Sequence, residues 1–155
     1  DYTNQTWNRY LRLPIYGKRI LCLKVYYRKA LKTSVILLGL EQGLYLYSKS
    51  SGWQQIYTSN DEKQKWVWDV LCIDEYIFIG TEKGLFFKSF EEPIWHRAAG
   101  YIGNIPIYSL GVDYTDSVPY VLALSQKGLY QKVKVPYYLF KSFSYLFWWK
   151  FQFSY

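Results

Sequence analysis

Few side chains in this sequence combine residue types that catalysis needs. The single histidine, His96, has no cysteine or aspartate at a spacing typical of a metal site or a nucleophilic triad. Cys22 and Cys72 each lie within a short apolar run, "LCL" and "LCI", which is typical of small buried residues. Asp69 and Glu75 could act as a carboxylate pair, but no spacing identifies them as one. The sequence therefore predicts no catalytic residue, no metal site and no cofactor.

The positive net charge is concentrated at the two ends of the chain. Residues 1–40 carry eight Lys and Arg against one Asp, and residues 117–155 carry five basic residues and no acidic one. Residues 41–116 carry six basic residues against eleven acidic ones. Basic segments with interleaved aromatics can bind nucleic acid or an anionic surface. Because no run of five or six Lys or Arg occurs, we interpret these charges as solvated loops and strand faces.

The composition predicts a single all-β domain. Half of the 155 residues are hydrophobic and 22% are aromatic, with 18 Tyr, 9 Phe and 7 Trp. Aromatic and β-branched residues suit the pleated, half-buried surface of a sheet. No uninterrupted apolar run is long enough for a membrane-spanning helix. The chain begins at Asp1 without a signal-peptide pattern and contains no Met, so we expect a removed leader or a piece of a longer protein.

One octapeptide occurs three times, as "LGLEQGLY", "IGTEKGLF" and "ALSQKGLY". Its last glycine, at spacings of 41 and 44 residues, is Gly43, Gly84 and Gly128. A second landmark, at spacings of 46 and 42 residues, is Trp7, Trp53 and Trp95. Two independent landmarks at one period indicate a true repeat. The repeat predicts that Cys22, Cys72 and Ser109 are equivalent, which would place the cysteines in neighbouring units, too far apart for a disulfide.

Each repeat unit is expected to form four short strands, and the octapeptide is the hairpin between the second and third. Its glycine would supply a backbone conformation with φ > 0, and the following Leu and aromatic residue would pack between units. The predicted units span residues 19–58, 67–98 and 105–142, after a strand near 7–12. They make up a repeat region at 1–135, followed by an aromatic tail at 136–155.

Four strands at this period are typical of β-propeller blades. A closed propeller has four or more blades, so three predict part of a larger ring. If the chain is complete, self-association would be needed to close the ring.

The repeat resembles the bacterial neuraminidase-type repeats over residues 7–135. Those repeats carry an Asp-box hairpin, of which "SKSSGW" keeps Ser48, Gly52 and Trp53 but has Ser50 at the aspartate position. "SFEEPIW" keeps Ser89 and Trp95 with Glu91 and Pro93 between them, and "VKVPYY" has lost the box. Such repeats occur in sialidases, in the sortilin luminal propeller and in photosystem II assembly-factor propellers. The octapeptide also resembles the sensor propellers of two-component regulators.

The resemblance implies an extracytoplasmic or assembly-factor protein and suggests where to look for function. Sialidases grip a carboxylate with three arginines, one of them in an Arg-Ile-Pro motif, which "RLP" at Arg12 partly matches. The other arginines show no further motif; they are Arg9, Arg19, Arg28 and Arg97. We therefore expect a non-enzymatic interaction scaffold that binds a protein or peptide. The alternatives are a degenerate sialidase-like or sugar-binding propeller and the ligand-sensing propeller of a regulator.

Two regions could contact partners. The hairpin turns repeat at one location and predict an arc of binding residues, namely Glu41, Gln42, Glu82, Lys83, Gln126 and Lys127. The tail, "YYLFKSFSYLFWWKFQFSY", is rich in aromatic residues with two Lys and no acid. Such a segment could lie at a membrane interface, although a strand pair that completes the third unit is the interpretation we favour.

Overall fold

The chain folds into three antiparallel four-stranded sheets, which confirms the all-β expectation. A computed structural model describes residues 12–13, 17–115, 119–132 and 149–151, with the side chains of 132 and 149–151 excepted. Sheet 1 contains β1 (Ile20–Arg28), β2 (Thr33–Leu40), β3 (Gly43–Ser48) and β4 (Gly52–Tyr57). Sheet 2 contains β5 (Val67–Ile73), β6 (Tyr76–Thr81), β7 (Gly84–Ser89) and β8 (His96–Arg97). Sheet 3 contains β9 (Ser109–Asp113), β10 (Tyr120–Ser125), β11 (Gly128–Lys132) and β12 (Trp149–Phe151).

The observed strands follow the predicted ones closely, with three differences in sheets 2 and 3. Strand β8 has only two residues, whereas the run "IWHRA" at 94–98 predicts a strand of five, and β9 begins at Ser109, whereas the third unit was predicted to begin with a strand at residue 105. The Tyr108 amide still donates to the Leu124 carbonyl of β10, whereas the Ile107 amide donates to the Thr81 carbonyl of sheet 2, so pairing within sheet 3 does not extend back to residue 105. The fourth strand of sheet 3 is β12, which lies within the segment 136–155 that the sequence analysis treats as a tail.

The sheets stack face to face, with sheet 2 in the middle. One apolar cluster joins sheets 1 and 2 through Leu37, Leu44, Val70, Ile79 and Phe86, among others. A second cluster joins sheets 2 and 3 and is formed by Phe78, Leu85, Ile107, Leu110, Val121 and Tyr130, among others. The first strands also lie side by side, since β1 packs on β5 and β5 packs on β9. Burial of both clusters is the main source of stability for the stack.

The three hairpin glycines have the backbone conformation that the sequence predicted. Gly43, Gly84 and Gly128 have φ of 127°, 129° and 135°. At Gly84 a Cβ atom would also approach the Gly103 carbonyl oxygen to 2.1 Å. The next residues point to opposite faces, so Leu85 enters the cluster shared with sheet 3 while Phe86 enters the cluster shared with sheet 1. The predicted packing of these residues between units is confirmed for sheet 2.

A second turn recurs after the third strand of sheets 1 and 2. The Ser48 hydroxyl accepts a 3.1 Å hydrogen bond from the Ser51 amide, and the Ser89 hydroxyl accepts one of 3.1 Å from the Glu92 amide. The hydroxyl thus closes the turn by bonding a backbone amide three residues later. In the described residues, no helix is long and apolar enough to cross a membrane.

Candidate functional site

The six turn residues predicted to bind a partner fall on three equivalent hairpins. Residues 41–42, 82–83 and 126–127 each connect the second and third strands of one sheet. The first strands of all three sheets begin at this same end, because Ile20 pairs with Leu40, Val67 with Thr81 and Ser109 with Leu124. We call it the hairpin end of the molecule.

In sheet 1 the turn residues are held by neighbouring side chains. Glu41 forms a 3.1 Å ion pair with Arg19, which precedes β1. The Gln42 carbonyl accepts a 2.9 Å hydrogen bond from the Gln55 side chain of β4. The ion pair is exposed to solvent, so it contributes little to stability and orients the two side chains instead.

In sheet 2 the turn is more strongly fixed. The Glu82 carboxylate accepts a 3.0 Å hydrogen bond from the Trp68 indole, and the Lys83 carbonyl accepts one of 3.0 Å from Arg97. The buried Thr81 hydroxyl accepts from the Lys83 amide at 3.2 Å and donates to the Gly84 carbonyl at 2.8 Å. These bonds fix the backbone of the turn, and the Lys83 side chain is half-buried.

In sheet 3 the turn follows the same design with exposed side chains. The Ser125 hydroxyl accepts a 3.3 Å hydrogen bond from the Lys127 amide, as the Thr81 hydroxyl does from Lys83. Gln126 and Lys127 are both exposed. The corresponding position in sheet 1 is Leu40, which has no hydroxyl, so the three turns share a shape and differ in their internal bonding.

Three aromatic residues at the hairpin end form a half-buried cluster that the sequence analysis did not identify. The Trp66 and Trp68 rings pack edge to face at 5.6 Å, and the Trp68 and Tyr108 rings do so at 5.7 Å. This aromatic cluster, Trp66, Trp68 and Tyr108, bridges sheets 2 and 3. Partial burial and then the Glu82 charge raise the pKa of Tyr108. The sequence feature that could have identified the cluster is the spacing Trp66-x-Trp68, because residues two apart on a strand lie on the same side.

A buried carboxylate, Asp69, connects the first strands of the three sheets. It accepts 2.8 Å and 3.3 Å hydrogen bonds from the Leu110 amide and the Ser109 hydroxyl, and Lys24 of β1 lies 3.4 Å away. The Val70 amide donates to the same group at 2.9 Å. Since donors surround both oxygens, Asp69 serves as a structural joint rather than as a general base. It is not brought together with Glu75, which instead pairs with Arg28 at 2.7 Å.

The pairing register corrects one expectation about the cysteines. Cys22 lies opposite Gly39, and Asp69 lies opposite Gly80 at the same point of the second hairpin, so Cys22 matches Asp69 and not Cys72. The mismatch arose because the run "LCI" was aligned on the cysteine, although the hairpin glycines set the register. Ser109 does match Cys22, since it pairs with Leu124.

Both thiols are free and suited to burial rather than to nucleophilic chemistry. Burial, with a further effect of the Asp69 charge, raises the pKa of Cys22 to about 11. Burial raises the pKa of Cys72 to about 12. A thiol with so high a pKa holds its proton at neutral pH and is a poor nucleophile.

The remaining charged candidates occupy separate places. His96 is exposed, with Nε2 3.7 Å from the Glu92 carboxylate. Arg28 is buried and contacts Glu75 and Glu91, whereas Arg97 bonds the Lys83 carbonyl. Arg9 lies outside the described residues. Within the part of the chain that the structure describes, no three His, Cys, Asp or Glu could together hold a metal ion.

The repeat tryptophans have different partners. The Trp95 indole donates a 2.7 Å hydrogen bond to the Ile56 carbonyl, so it ties sheet 2 to β4 of sheet 1. The buried Trp53 indole has no hydrogen-bond acceptor among the described residues. Trp7 and the predicted strand near 7–12 lie almost wholly outside them.

No family model, no curated protein and no solved structure matches this chain.

Proposed function

We propose that the three sheets are blades of a β-propeller and that its hairpin end binds a protein or peptide partner without catalysis. The observation that carries the proposal is the position of the three equivalent turns beside the aromatic cluster, all at one end of the stack. Interaction surfaces are enriched in Trp, Tyr and Arg, and a few such residues near the centre of an interface carry most of the binding energy.

The propeller part of the proposal is supported by the arrangement of the sheets. All three have the strand order first to fourth, each strand antiparallel to the next. The first strands lie together and are linked through Asp69, as expected of strands that surround a central axis. The turns closed by Ser48 and Ser89 match the position of the Asp-box hairpin in neuraminidase-type repeats, which supports a relation to them.

The binding part of the proposal is supported by what surrounds the aromatic cluster. Arg97 donates to the Lys83 carbonyl in the turn of sheet 2 that also contains Glu82, and the exposed Lys127 lies in the equivalent turn of sheet 3. Glu82 is held by the Trp68 indole, so its charge has a fixed position. An extended peptide with an aromatic or proline anchor and a nearby acidic residue would complement these groups.

The experiment is a selection of peptides from a displayed random library on the immobilised chain, followed by affinity measurements. We expect enriched peptides to bind the wild type and to lose at least about 10-fold in affinity in Lys83→Glu or Lys127→Glu. Lys49→Glu is the matched control, because Lys49 is an exposed residue in a turn at the opposite end. Failure to enrich any peptide, or equal binding by all four proteins, would contradict the proposal.

The aromatic cluster also favours a second candidate, a sugar-binding surface. Rings of Trp and Tyr beside a carboxylate provide stacking and hydrogen bonding together, and Glu82 lies beside Trp68. A glycan array is the direct test, with Glu82→Gln and Lys49→Glu compared with the wild type. Binding of one glycan class that Glu82→Gln alone abolishes would establish this candidate in place of the first.

A further inference from the structure

Strand β1 exposes an apolar stripe on the face of sheet 1 turned away from sheet 2. Leu23, Val25 and Tyr27 are 59%, 67% and 53% exposed. They alternate with residues that reach sheet 2, since Lys24 contacts Asp69 and Tyr26 bonds the Asp74 carbonyl. Alternation along a strand puts the stripe on the opposite face. A row of exposed apolar side chains along one strand face is a candidate contact surface.

The other two sheets show what covers the same position. Leu23, Val70 and Leu110 are equivalent, because each pairs with the residue just before the matching position Gly39, Gly80 or Leu124. Val70 is fully buried against sheet 1, and Leu110 is buried against sheet 2. At this register the fold therefore receives a preceding four-stranded sheet of the same kind.

The chain carries a matching open face at its other side, on sheet 3. Leu124 is 47% exposed, and Leu129 pairs with it on the same face. In sheet 2 the residue equivalent to Leu129 is Leu85, which is fully buried against sheet 3. Sheet 3 thus presents the side that in sheet 2 is covered by a following sheet.

In sheet 3 a leucine, Leu124, stands where sheets 1 and 2 have a glycine, and this difference fits the open face of sheet 3 to sheet 1 in particular. A Cβ atom on Gly39 would approach the Val67 carbonyl oxygen to 2.6 Å, and one on Gly80 would approach the Ile107 carbonyl oxygen to 2.6 Å. Leu124 stands at the equivalent position, so the sheet that follows must lie farther away. The residue of sheet 1 equivalent to Val67 is Ile20, which is 45% exposed and could fill the wider gap.

The charges on the two faces also favour a contact between sheet 3 and sheet 1. Asp113 lies on the open face of sheet 3, at the repeat position that Tyr26 occupies in sheet 1. In sheet 1 the Tyr26 hydroxyl donates to the Asp74 carbonyl of sheet 2. Asp74 corresponds to Tyr27, which is followed two residues later by the exposed Lys29. Stacking sheet 3 on sheet 1 would therefore bring an acidic side chain to a basic turn.

We propose that sheet 3 of one copy of this chain stacks on the Leu23–Val25–Tyr27 stripe of a second copy. The contact depends on the observed stacking of the sheets and not on partner binding at the hairpin end. With the propeller curvature proposed above, two copies would place six sheets in one ring, within the usual range of four to eight.

The first experiment measures the mass of the full chain in solution by light scattering over about 1 to 100 μM, a range that brackets micromolar affinity. We expect two or more times the chain mass of 18.6 kDa at the upper end. Val25→Lys should raise the dissociation constant at least about 10-fold. Ile94→Lys is the matched control, because Ile94 is 64% exposed and lies outside the sheets. A monomer at every concentration would overturn the proposal.

A second experiment identifies the faces in contact. In a Cys22→Ala/Cys72→Ala background, Ile20→Cys and Leu124→Cys are made as separate proteins and oxidised alone or mixed. We expect an intermolecular disulfide mainly in the mixture, because the proposed contact joins residue 20 of one copy to residue 124 of the other. A disulfide dimer of the Ile20→Cys protein alone, with no disulfide between residues 20 and 124 in the mixture, would instead show sheet 1 against sheet 1 and would also overturn the proposal.

Discussion

At the scale of single residues, the two cysteines make stability sensitive to alkaline pH. The ordinary pKa of a cysteine thiol is 9.0, and burial raises the pKa to about 11 in Cys22 and to about 12 in Cys72. The unfolded chain therefore releases both protons near pH 9 while the native protein retains them. The native protein binds more protons above pH 9, so its free energy of unfolding falls as the pH rises toward 11.

We expect each cysteine to remove up to about 1.4 kcal/mol of stability per pH unit above about pH 9. Urea unfolding at a series of pH values measures this slope. The Cys22→Ala/Cys72→Ala protein should be less stable at pH 7 but lose stability more slowly between pH 9 and 10. Tyr57, whose pKa burial raises to about 12, extends the loss above pH 10 in both proteins. Identical slopes in the two proteins would exclude the cysteines as the cause.

Gly84 provides a prediction about close approach of the backbone. A Cβ atom there would lie 2.1 Å from the Gly103 carbonyl oxygen at a φ of +129°, whereas at Gly52, with φ of +69°, it would meet nothing within 4 Å. Gly52→Ala should cost roughly 1 kcal/mol, the strain of the backbone conformation alone. Gly84→Ala should cost clearly more, because sheet 2 must also separate from the loop before sheet 3. Equal urea midpoints for the two variants would show that the contact relaxes freely.

At the scale of elements, the hairpins were the most predictable part of the fold. The octapeptide contains both strand residues and the turn glycine, so local chemistry alone specifies it. The pattern predicts β8 too long at its start, because Ile94 and Trp95 have strand propensity, whereas pairing with β7 begins at His96 and ends with the Ala98 amide, which donates to the Leu85 carbonyl. The start of β9 was misplaced for a related reason, since Ile107 bonds sheet 2. Pairing across sheets depends on tertiary contacts that a single strand pattern does not contain.

The hydroxyl at the end of β6 gives a prediction for the hairpin as a unit. Thr81 is fully buried, and its hydroxyl bonds both the Lys83 amide and the Gly84 carbonyl. Thr81→Val keeps the shape but leaves these groups unpaired, so we expect a loss of about 1–2 kcal/mol. Hydrogen exchange at the Lys83 amide should accelerate in the variant. Thr58→Val is the control, because Thr58 is exposed and the change should stay within about 0.5 kcal/mol. No faster exchange at Lys83 would show that the hydroxyl does not secure the turn.

At the scale of the whole molecule, the candidate site illustrates where sequence reasoning stopped. The six turn residues could be placed at one location because the repeat makes them equivalent. The aromatic cluster could not be predicted from the sequence. Trp68 and Tyr108 occupy the same repeat position in neighbouring sheets, and their rings come into contact only when the sheets stack. The network around Asp69 likewise joins three separate units. The repeat period indicates that neighbouring units are in contact, but it does not specify which side chains meet there.

The stacking order also predicts how stability is distributed. Sheet 2 is covered on both faces, so Ile77, Ile79 and Leu85 are fully buried, whereas Leu23 and Val25 of sheet 1 are largely exposed. Amides exchange fastest where few apolar contacts resist local opening. We therefore expect β6 and β7 to exchange their amides most slowly, and β1 to open first. Native-state hydrogen exchange read by mass spectrometry of peptides from each strand tests the order. A β1 that is as protected as β6 in dilute protein would contradict it, whereas protection of β1 that grows with protein concentration would follow from the stacking of a second copy on its exposed stripe.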